Sequence, residues 1–295
     1  MNALVPVSID DDGARGLIPA QAATDAQLIA LWLHGRPVTT QRIYRREAAS
    51  FFALVRKPLQ LVALADLHAF DDSRSHLAPA TRALSVSAIR SLMGFALRIG
   101  YLRFNVSQVI RVTSVKDTLA ERILPEGDVQ AMIFLETDPR NRILLRLVYA
   151  AGLRVSEACG LRWRDVQARG DAGQVTIFGK GDKTRHVLLS SATWHELARW
   201  RNGASLDDWV FPSRRGSGPL NSATVWRIVR KAAERAGVLL PVSPHWLRHA
   251  HASHALDRGA PVHLVQQTLG HATVATTGRY LHARPNDSSA RYLSV

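Results

Sequence analysis

The stretch that most constrains this chain of 295 residues runs from Ser243 to Tyr280. It alternates signals that start helices with glycines that end them. Ser243 is a favourable N-cap and Pro244 suits the first helical position, so a helix is predicted to begin there. Gly259 and Gly270 mark two helix ends, because glycine readily adopts the left-handed conformation that closes a helix. The sequence therefore predicts three short helices joined by tight turns.

The first of these helices carries several side chains that can donate or accept protons or bind anions. His245, Arg248 and His249 stand at spacings of three and four residues, which places them on one helix face. His271 directly follows the glycine that ends the second helix, where a side chain can be aimed. Tyr280 lies on the third helix. Guanidinium, imidazole and phenol groups are thus expected to converge, and that combination suits phosphate chemistry.

Charge and composition restrict the kind of partner that the chain can bind and the cellular compartment that suits it. The chain carries 38 Lys and Arg against 24 Asp and Glu, a formal net charge of +14. Both halves share this excess, as expected if both contact the same nucleic acid. The single cysteine, Cys159, excludes an internal disulfide framework and fits a reducing compartment. Because there is neither a run of 18 apolar residues nor a signal-peptide pattern, we expect a cytoplasmic protein without membrane association.

The distribution of apolar and polar residues divides the chain into parts. Residues 1–23 show no sustained periodicity and are predicted to form a flexible tail. Residues 24–111 have helical periodicity without strand-like alternation, which predicts a helical bundle. Residues 112–122 are polar and charged, as in a linker. Residues 123–295 would form a second domain that ends in a C-terminal tail.

Basic side chains in the first domain are candidates for binding DNA. The apolar pattern over 41–56 predicts a helix that turns Phe51 inward and three arginines outward. Arg42, Arg45 and Arg46 would then form a basic face suited to the phosphate backbone.

The second domain contains two strand-like segments, 174–178 and 186–189. They flank the run G-K-G-D-K at 179–183, which predicts a hairpin or the edge of a small sheet. Its turn displays Lys180 and Lys183, for which simple solvation is the default interpretation. The predicted fold class is therefore mainly α with a small β-sheet.

Five short motifs follow one another along the second domain, and the set is specific although each motif alone is weak. They are G-L-R-V-S-E at 152–157, G-K-G-D-K at 179–183, H-W-L-R-H at 245–249, L-G-H at 269–271, and Tyr280 nine residues after His271. Their order and spacing closely resemble the catalytic domain of the tyrosine recombinases, the phage integrase family, over roughly 123–283. Within that family the chain resembles simple two-domain, Xer-like members, whose helical core-binding domain is similar to 24–111.

The resemblance implies a role for each motif residue. Arg154 and Arg248 would stabilise the charge that gathers on the non-bridging oxygens of a phosphodiester under attack. Tyr280 would be the nucleophile that forms a 3′-phosphotyrosine. His245 matches the general base or proton acceptor, and His271 matches a second phosphate donor.

The resemblance also implies the acid and the partners. Lys180 matches the general acid that protonates the departing 5′-oxygen, and Lys183 is kept as a DNA contact. No metal and no cofactor are implied, because fixed cations take the place of a magnesium ion. The implied partners are double-stranded DNA, gripped in a clamp of two basic domains, and further copies of the chain in a tetramer on two DNA sites.

Other interpretations remain open at this point. A type IB topoisomerase shares the chemistry without exchanging strands, and a non-catalytic DNA-binding protein could share the fold. His245 and His249 have a spacing compatible with zinc, but Arg248 on the same face would repel a cation. Tyr292 is a rival phenol outside the nine-residue spacing, and Glu157 is interpreted as a structural tether.

Overall fold

The computed structural model describes residues 21–112, 118–179, 184–214 and 216–283. These residues form two compact units, one on each side of the undescribed segment 113–117. The division into a helical domain, a linker at 112–122 and a catalytic domain stays our proposal for the domain organisation. None of the described helices combines the length and apolar character that crossing a bilayer requires.

The first unit is built from helices. They are α1 (Asp25–Leu33), α2 (Val38–Val55), α3 (Leu64–Ser73) and α4 (Pro79–Arg98), with 3-10 turns at Leu59–Leu61 and Val106–Val109. Thr24 caps α1 by accepting a hydrogen bond from the backbone N–H of Gln27 at 3.2 Å. The rings of Phe51 and Phe70 meet edge to face at 5.2 Å in a core that buries Trp32.

Two details of this unit differ from the sequence-based expectation. The second helix begins at Val38 and not at residue 41, because Pro37 supplies the N-cap position three residues earlier. Helix α3 is not marked by a clear periodicity, since only Leu67 and Phe70 of its ten residues are buried. An apolar stripe this sparse does not stand out in the sequence.

The second unit mixes helices with a sheet. Its helices are α5 (Glu126–Phe134), α6 (Pro139–Ala150), α7 (Val155–Gly160), α8 (Ser191–Arg201), α9 (Ser222–Arg235), α10 (Pro244–Asp257), α11 (Val262–Leu269) and α12 (Val274–Ala283). Its strands are β1 (Val166–Arg169), β2 (Ala172–Phe178) and β3 (Thr184–Leu189). Short 3-10 turns lie at Ala120–Arg122 and Trp163–Asp165. The predicted fold class, mainly α with a small β-sheet, is confirmed.

Within the described residues the sheet is a three-stranded antiparallel meander in the order β1-β2-β3. The β2–β3 register runs from Gly173 opposite Leu189 to Phe178 opposite Thr184. The predicted hairpin is therefore present, and residues 180–183 of its turn lie outside the described residues. Strand β1 was not predicted, because three of its four residues are exposed and leave no apolar alternation.

The three helices expected between Ser243 and Tyr280 are α10, α11 and α12. Pro244 occupies the first turn of α10, and Gly259 (φ +83°) follows its C-terminus. A cluster of buried apolar residues joins these helices and includes Val265 and the ring of Tyr280. The packing therefore fixes the phenol next to the histidine-bearing helix.

Candidate active site

The buried guanidinium group of Arg248 lies where three chain segments meet. Helix α10 carries it, and it donates hydrogen bonds to the carbonyl oxygens of Gly152 and Leu269, the latter at 2.5 Å. Gly152 follows the end of α6 with φ +58°, and Gly270 follows the end of α11 with φ +62°. Both turns need this left-handed backbone, which glycine adopts without a steric penalty.

Arg154, the N-cap residue of α7, contacts the C-terminal end of α11, which Arg248 also contacts. Its side chain donates to the carbonyl oxygen of Gly270 at 3.2 Å and to Oε1 of Glu157 at 2.8 Å. Its backbone N–H donates to the other carboxylate oxygen of Glu157 at 2.7 Å, which caps the start of α7. The second guanidinium group is thus tethered through Glu157, as the sequence predicts for this residue.

A third arginine, Arg185 of β3, completes this network. Its guanidinium binds both carboxylate oxygens of Glu157, at 2.9 and 2.7 Å, and its Nε donates to the carbonyl oxygen of Thr268 at 2.8 Å. Burial raises the pKa of Glu157, but the hydrogen bonds from Arg185 and Arg154 outweigh this and bring it to about 2. The carboxylate is therefore charged at any physiological pH.

Sequence reasoning missed Arg185, although a signal was present. In a strand, alternate residues share a face, so Arg185 lies on the same side as the buried Val187 and Leu189. An arginine on a buried face requires an acidic partner or carbonyl groups. The strand register could therefore have indicated a paired, structural arginine.

The C-terminal end of α11 is held by all three arginines. The carbonyl groups of Thr268, Leu269 and Gly270 accept hydrogen bonds from Arg185, Arg248 and Arg154, respectively. The last carbonyls of a helix lack intrahelical donors and carry partial negative charge, so guanidinium groups suit them well. His271 leaves the helix from this fixed end.

Tyr280 lies beside two histidines, and its side chain is almost buried. Its residue exposure is 6%. The hydroxyl group is 2.8 Å from Nδ1 of His249, and the ring stacks with that of His271 at a centroid distance of 6.3 Å. His271 in turn is 2.9 Å from the hydroxyl of Thr277 through its Nδ1.

Burial and nearby positive charge set the protonation states of Tyr280 and of the two histidines beside it. Burial lowers the pKa of His249 and of His271 to about 4, and the charge of Arg248 acts in the same direction on both. Burial raises the pKa of Tyr280, against an opposing effect of Arg248 and Arg279. At neutral pH the histidines are therefore uncharged and the phenol keeps its proton.

His245 is exposed at the start of α10. Partial desolvation lowers its pKa, and the charges of Arg248 and Arg154 contribute in the same direction. The described residues offer its side chain no hydrogen-bond partner, so the ring is accessible to a ligand. The structure thus brings Arg154, Arg248 and Tyr280 together with the histidines around the ends of α6 and α11.

The remaining predicted site residues lie elsewhere or outside the described residues. Lys180 and Lys183 belong to the undescribed hairpin turn, and Tyr292 belongs to the undescribed C-terminal segment. In the first unit the basic residues of α2 are exposed: they are Arg42, Arg45 and Arg46. Arg46 also pairs with Glu47 at 2.7 Å.

The histidine-rich helix does not gather a set of metal ligands. His249 faces Tyr280, whereas His254 is 2.9 Å from the hydroxyl of Tyr149 and 3.0 Å from the carbonyl oxygen of Leu124. In the part of the chain that the structure describes, no group of three His, Cys, Asp or Glu side chains is arranged to hold a metal ion.

Comparison with known proteins identifies relatives over most of the chain. Residues 122–287 match the model of the phage integrase family. The tyrosine recombinase XerC of Xylella fastidiosa (strain 9a5c) is 34% identical over 260 residues, which cover 84% of this chain and 87% of the relative. The tyrosine recombinase XerD of Pseudomonas aeruginosa (strain PAO1) is 34% identical over 289 residues, which cover 91% and 96%, respectively.

A solved structure shares the fold. The XerH site-specific recombinase bound to a palindromic difH substrate, in its post-cleavage complex, superposes with a TM-score of 0.72 at 21% identity. The match covers 92% of this chain and 85% of that chain. The resemblance drawn from the five motifs is confirmed. The chain therefore belongs to the phage integrase family and is a Xer-like tyrosine recombinase.

Proposed function

We propose that the chain is a site-specific DNA recombinase in which Tyr280 attacks a phosphodiester bound between Arg154 and Arg248. The phenolic oxygen forms a bond to phosphorus, and the bond from phosphorus to the 5′-oxygen breaks. A 5′-hydroxyl from a partner duplex then attacks the phosphotyrosine and releases the enzyme. Each step exchanges one phosphoester for another, so no high-energy cofactor is needed.

The observation that carries this proposal is the convergence of a phenol with fixed guanidinium groups. Negative charge grows on the non-bridging oxygens as the phenol attacks, and preorganised donors stabilise it most effectively. Burial lowers the pKa of Arg248 to about 10, with a further contribution from Arg154, but the group stays cationic at neutral pH. The hydrogen bonds from Arg248 and Arg154 to backbone carbonyls keep these cations in position before DNA binds.

The histidines and the hairpin lysine complete the assignment. His245 is exposed and without a protein partner among the described residues, so we assign it to the scissile phosphate as a donor or proton acceptor. His271 stacks on the tyrosine and emerges from the anchored end of α11, which suits a second phosphate contact. The family resemblance assigns Lys180 as the acid that gives the 5′-oxygen its proton.

Double-stranded DNA is the substrate in this proposal, and four basic residues are assigned to its backbone: Arg42, Arg45, Arg46 and Lys183. Four protomers would assemble on two DNA sites, since strand exchange requires two duplexes and each strand cut requires one tyrosine. Relatives named recombinases favour exchange over relaxation of supercoils. A chromosomal substrate would also place the enzyme in the cytoplasm.

The test is capture of the covalent intermediate. Purified protein is incubated with nicked suicide duplexes from its own genomic neighbourhood, from which the short piece that carries the new 5′-hydroxyl is lost after cleavage. We expect a protein–DNA adduct that survives denaturation and is absent for Tyr280→Phe, although this variant still binds DNA. Adduct formation by the phenylalanine variant would refute the assignment of the nucleophile.

A further inference from the structure

We propose that Thr277 is a positioning residue for DNA cleavage, because its hydroxyl group orients the ring of His271 and keeps the ring proton on Nε2. That proton is the one that His271 would donate to a phosphate oxygen. The inference rests on the proposed function, in which His271 makes a second phosphate contact. It starts from the 2.9 Å distance between the hydroxyl oxygen of Thr277 and Nδ1 of His271.

Burial determines which of the two groups donates in this contact. Thr277 has an exposure of 0%, so water does not reach its hydroxyl group. Among the described residues, Nδ1 of His271 is the only hydrogen-bond partner of that hydroxyl group. A buried O–H group without an acceptor is unfavourable. The hydroxyl proton of Thr277 therefore points to Nδ1, and Nδ1 accepts the hydrogen bond.

The position of the ring proton follows from this assignment. Burial lowers the pKa of His271 to about 4, and Arg248 and Arg154 act in the same direction, so the ring is neutral at physiological pH. A neutral imidazole has one protonated nitrogen and one nitrogen with a free lone pair. Because Nδ1 uses its lone pair for Thr277, the proton resides on Nε2. Within the described residues Nε2 has no hydrogen-bond partner and is not an enclosed atom, so this N–H is available to a ligand.

The backbone and the ring of His271 are held by different helices. At the end of α11 the backbone N–H of His271 donates to the carbonyl oxygen of Gln266 at 3.1 Å, and the side chain of Gln266 donates to the carbonyl oxygen of His271 at 3.2 Å. The ring is held from α12 by Thr277. A half-turn of the ring would put a carbon in the place of Nδ1 and leave the buried hydroxyl group without an acceptor. The contact therefore selects one orientation of the ring.

The helix that carries Thr277 also carries the proposed nucleophile. Thr277 and Tyr280 are three residues apart on α12, so they lie on one face of the helix. The ring of Tyr280 is nearly parallel to that of His271, with 6° between the planes and 6.3 Å between the centroids. One hydroxyl group thus keeps the phosphate donor aligned with the helix that presents the phenol.

The location of the ring proton matters because an ionised phosphate oxygen accepts hydrogen bonds and donates none. Nε2 with its proton would stabilise the charge that grows during attack, whereas Nε2 with a lone pair would repel it. An imidazolium could donate from either nitrogen, but burial and the nearby arginines disfavour that form of His271. The neutral ring therefore depends on Thr277 to present a donor to the phosphate.

The decisive variant is Thr277→Val in the full-length protein. Valine has nearly the shape of threonine but lacks the hydroxyl group, so the packing of α12 is kept while the hydrogen bond to His271 is lost. On the nicked suicide duplex at saturating protein, single-turnover adduct formation should fall about 10–100-fold, less than the 10²–10³-fold expected for complete removal of a transition-state donor. DNA affinity should stay within about threefold, because contacts along the phosphate backbone dominate binding.

Two control variants separate the hydroxyl group from its surroundings. Thr277→Ser restores the hydroxyl group and should cleave close to the wild-type rate. Thr276→Val removes the exposed neighbouring hydroxyl group, which lies 3.0 Å from that of Thr273, and should leave the rate unchanged. Urea denaturation shows whether each variant is folded.

A double variant tests whether Thr277 acts through His271. His271→Ala alone should slow adduct formation by about 10²–10³-fold. Adding Thr277→Val should cause no further loss, because the two side chains act as one unit.

Nitrogen NMR of the histidine rings supplies a readout that is independent of cleavage. Without DNA, the wild-type protein should show His271 protonated on Nε2 and unprotonated on Nδ1. Thr277→Val should move both chemical shifts toward the average of the two neutral forms, and His271→Ala identifies the signals by their absence. This measurement on the wild type decides the matter even if Thr277→Val does not fold.

Four results would overturn the proposal. They are a wild-type His271 protonated on Nδ1, a Thr277→Val variant as fast as the wild type, a Thr277→Ser variant as slow as Thr277→Val, and a double variant much slower than His271→Ala. Failure of the wild type to form any adduct would instead refute the proposed function, and the NMR measurement would still test the contact between Thr277 and His271.

Discussion

Replacing Glu157 by glutamine tests whether the network of three charged side chains holds the second unit together. The carboxylate is 6% exposed and accepts hydrogen bonds from Arg154 and from Arg185. A pKa that falls from 4.5 to about 2 on folding corresponds to about 3 kcal/mol of stabilisation. Removal of one partner from a buried ion pair costs about 3–5 kcal/mol. Both estimates predict that Glu157→Gln lowers the free energy of unfolding by about 3 kcal/mol.

Urea denaturation followed by tryptophan fluorescence measures this change. Six of the seven tryptophans lie in the second unit, the exception being Trp32, so the signal reports on the unit that contains Glu157. The matched control is Glu234→Gln, which removes an exposed partner of Arg230 at 3.8 Å on α9. This substitution should change the free energy of unfolding by less than about 0.5 kcal/mol.

The pH dependence supplies an independent check of the same reasoning. Because folding depresses the pKa of Glu157, its stabilising contribution is complete above pH 4.5 and is lost as the pH falls toward 2. The difference between wild type and Glu157→Gln should therefore be about 1.4 kcal/mol smaller at pH 3.5 than at pH 7. A difference below about 1 kcal/mol at pH 7, or one that does not narrow in acid, would refute the argument.

Three other substitutions give distinct expected outcomes. Arg185→Lys keeps the charge but not the forked contact with Glu157, so the free energy of unfolding measured by urea titration should fall by about 1–2 kcal/mol. Gly152→Ala should cost at least about 1–2 kcal/mol and slow adduct formation, because alanine is strained at φ +58° and its Cβ would lie 2.6 Å from Leu269. Arg45→Ala should weaken DNA binding, reduce the slope of log affinity against log salt by about 0.9, and leave cleavage at saturating protein unchanged.

Local signals were sufficient to predict the helices that carry the site. Ser243, Pro244, Gly259 and Gly270 bound α10 and α11 as expected, because caps and left-handed glycines act within one or two residues of a helix end. The same locality explains the failures in the first unit. Helix α3 has few buried residues, and its existence depends on packing against the rest of the bundle.

The hydrogen-bond partners within the site could not be predicted from patterns among residues close together in the sequence. The contact between Arg185 and Glu157 joins residues 28 positions apart, and that between His249 and Tyr280 joins residues 31 apart. Sequence spacing gives the helix face on which His249 lies, but not which side chain packs against that face. Only the arrangement of α10 and α12 determines that the phenol meets His249 and not His245.

The placement of the guanidinium groups of Arg248 and Arg154 depends on backbone atoms as much as on side chains. Arg248 donates to the carbonyl groups of Gly152 and Leu269, and Arg154 donates to that of Gly270. These carbonyls face the arginines because α6 and α11 end in left-handed turns. Gly152 and Gly270 therefore each help to position an arginine that is distant in sequence. The partial negative charge of a helix C-terminus also reduces the repulsion among clustered cations before DNA arrives. In the proposed function these cations are held in position before a phosphodiester binds, the condition under which fixed charges accelerate a reaction most.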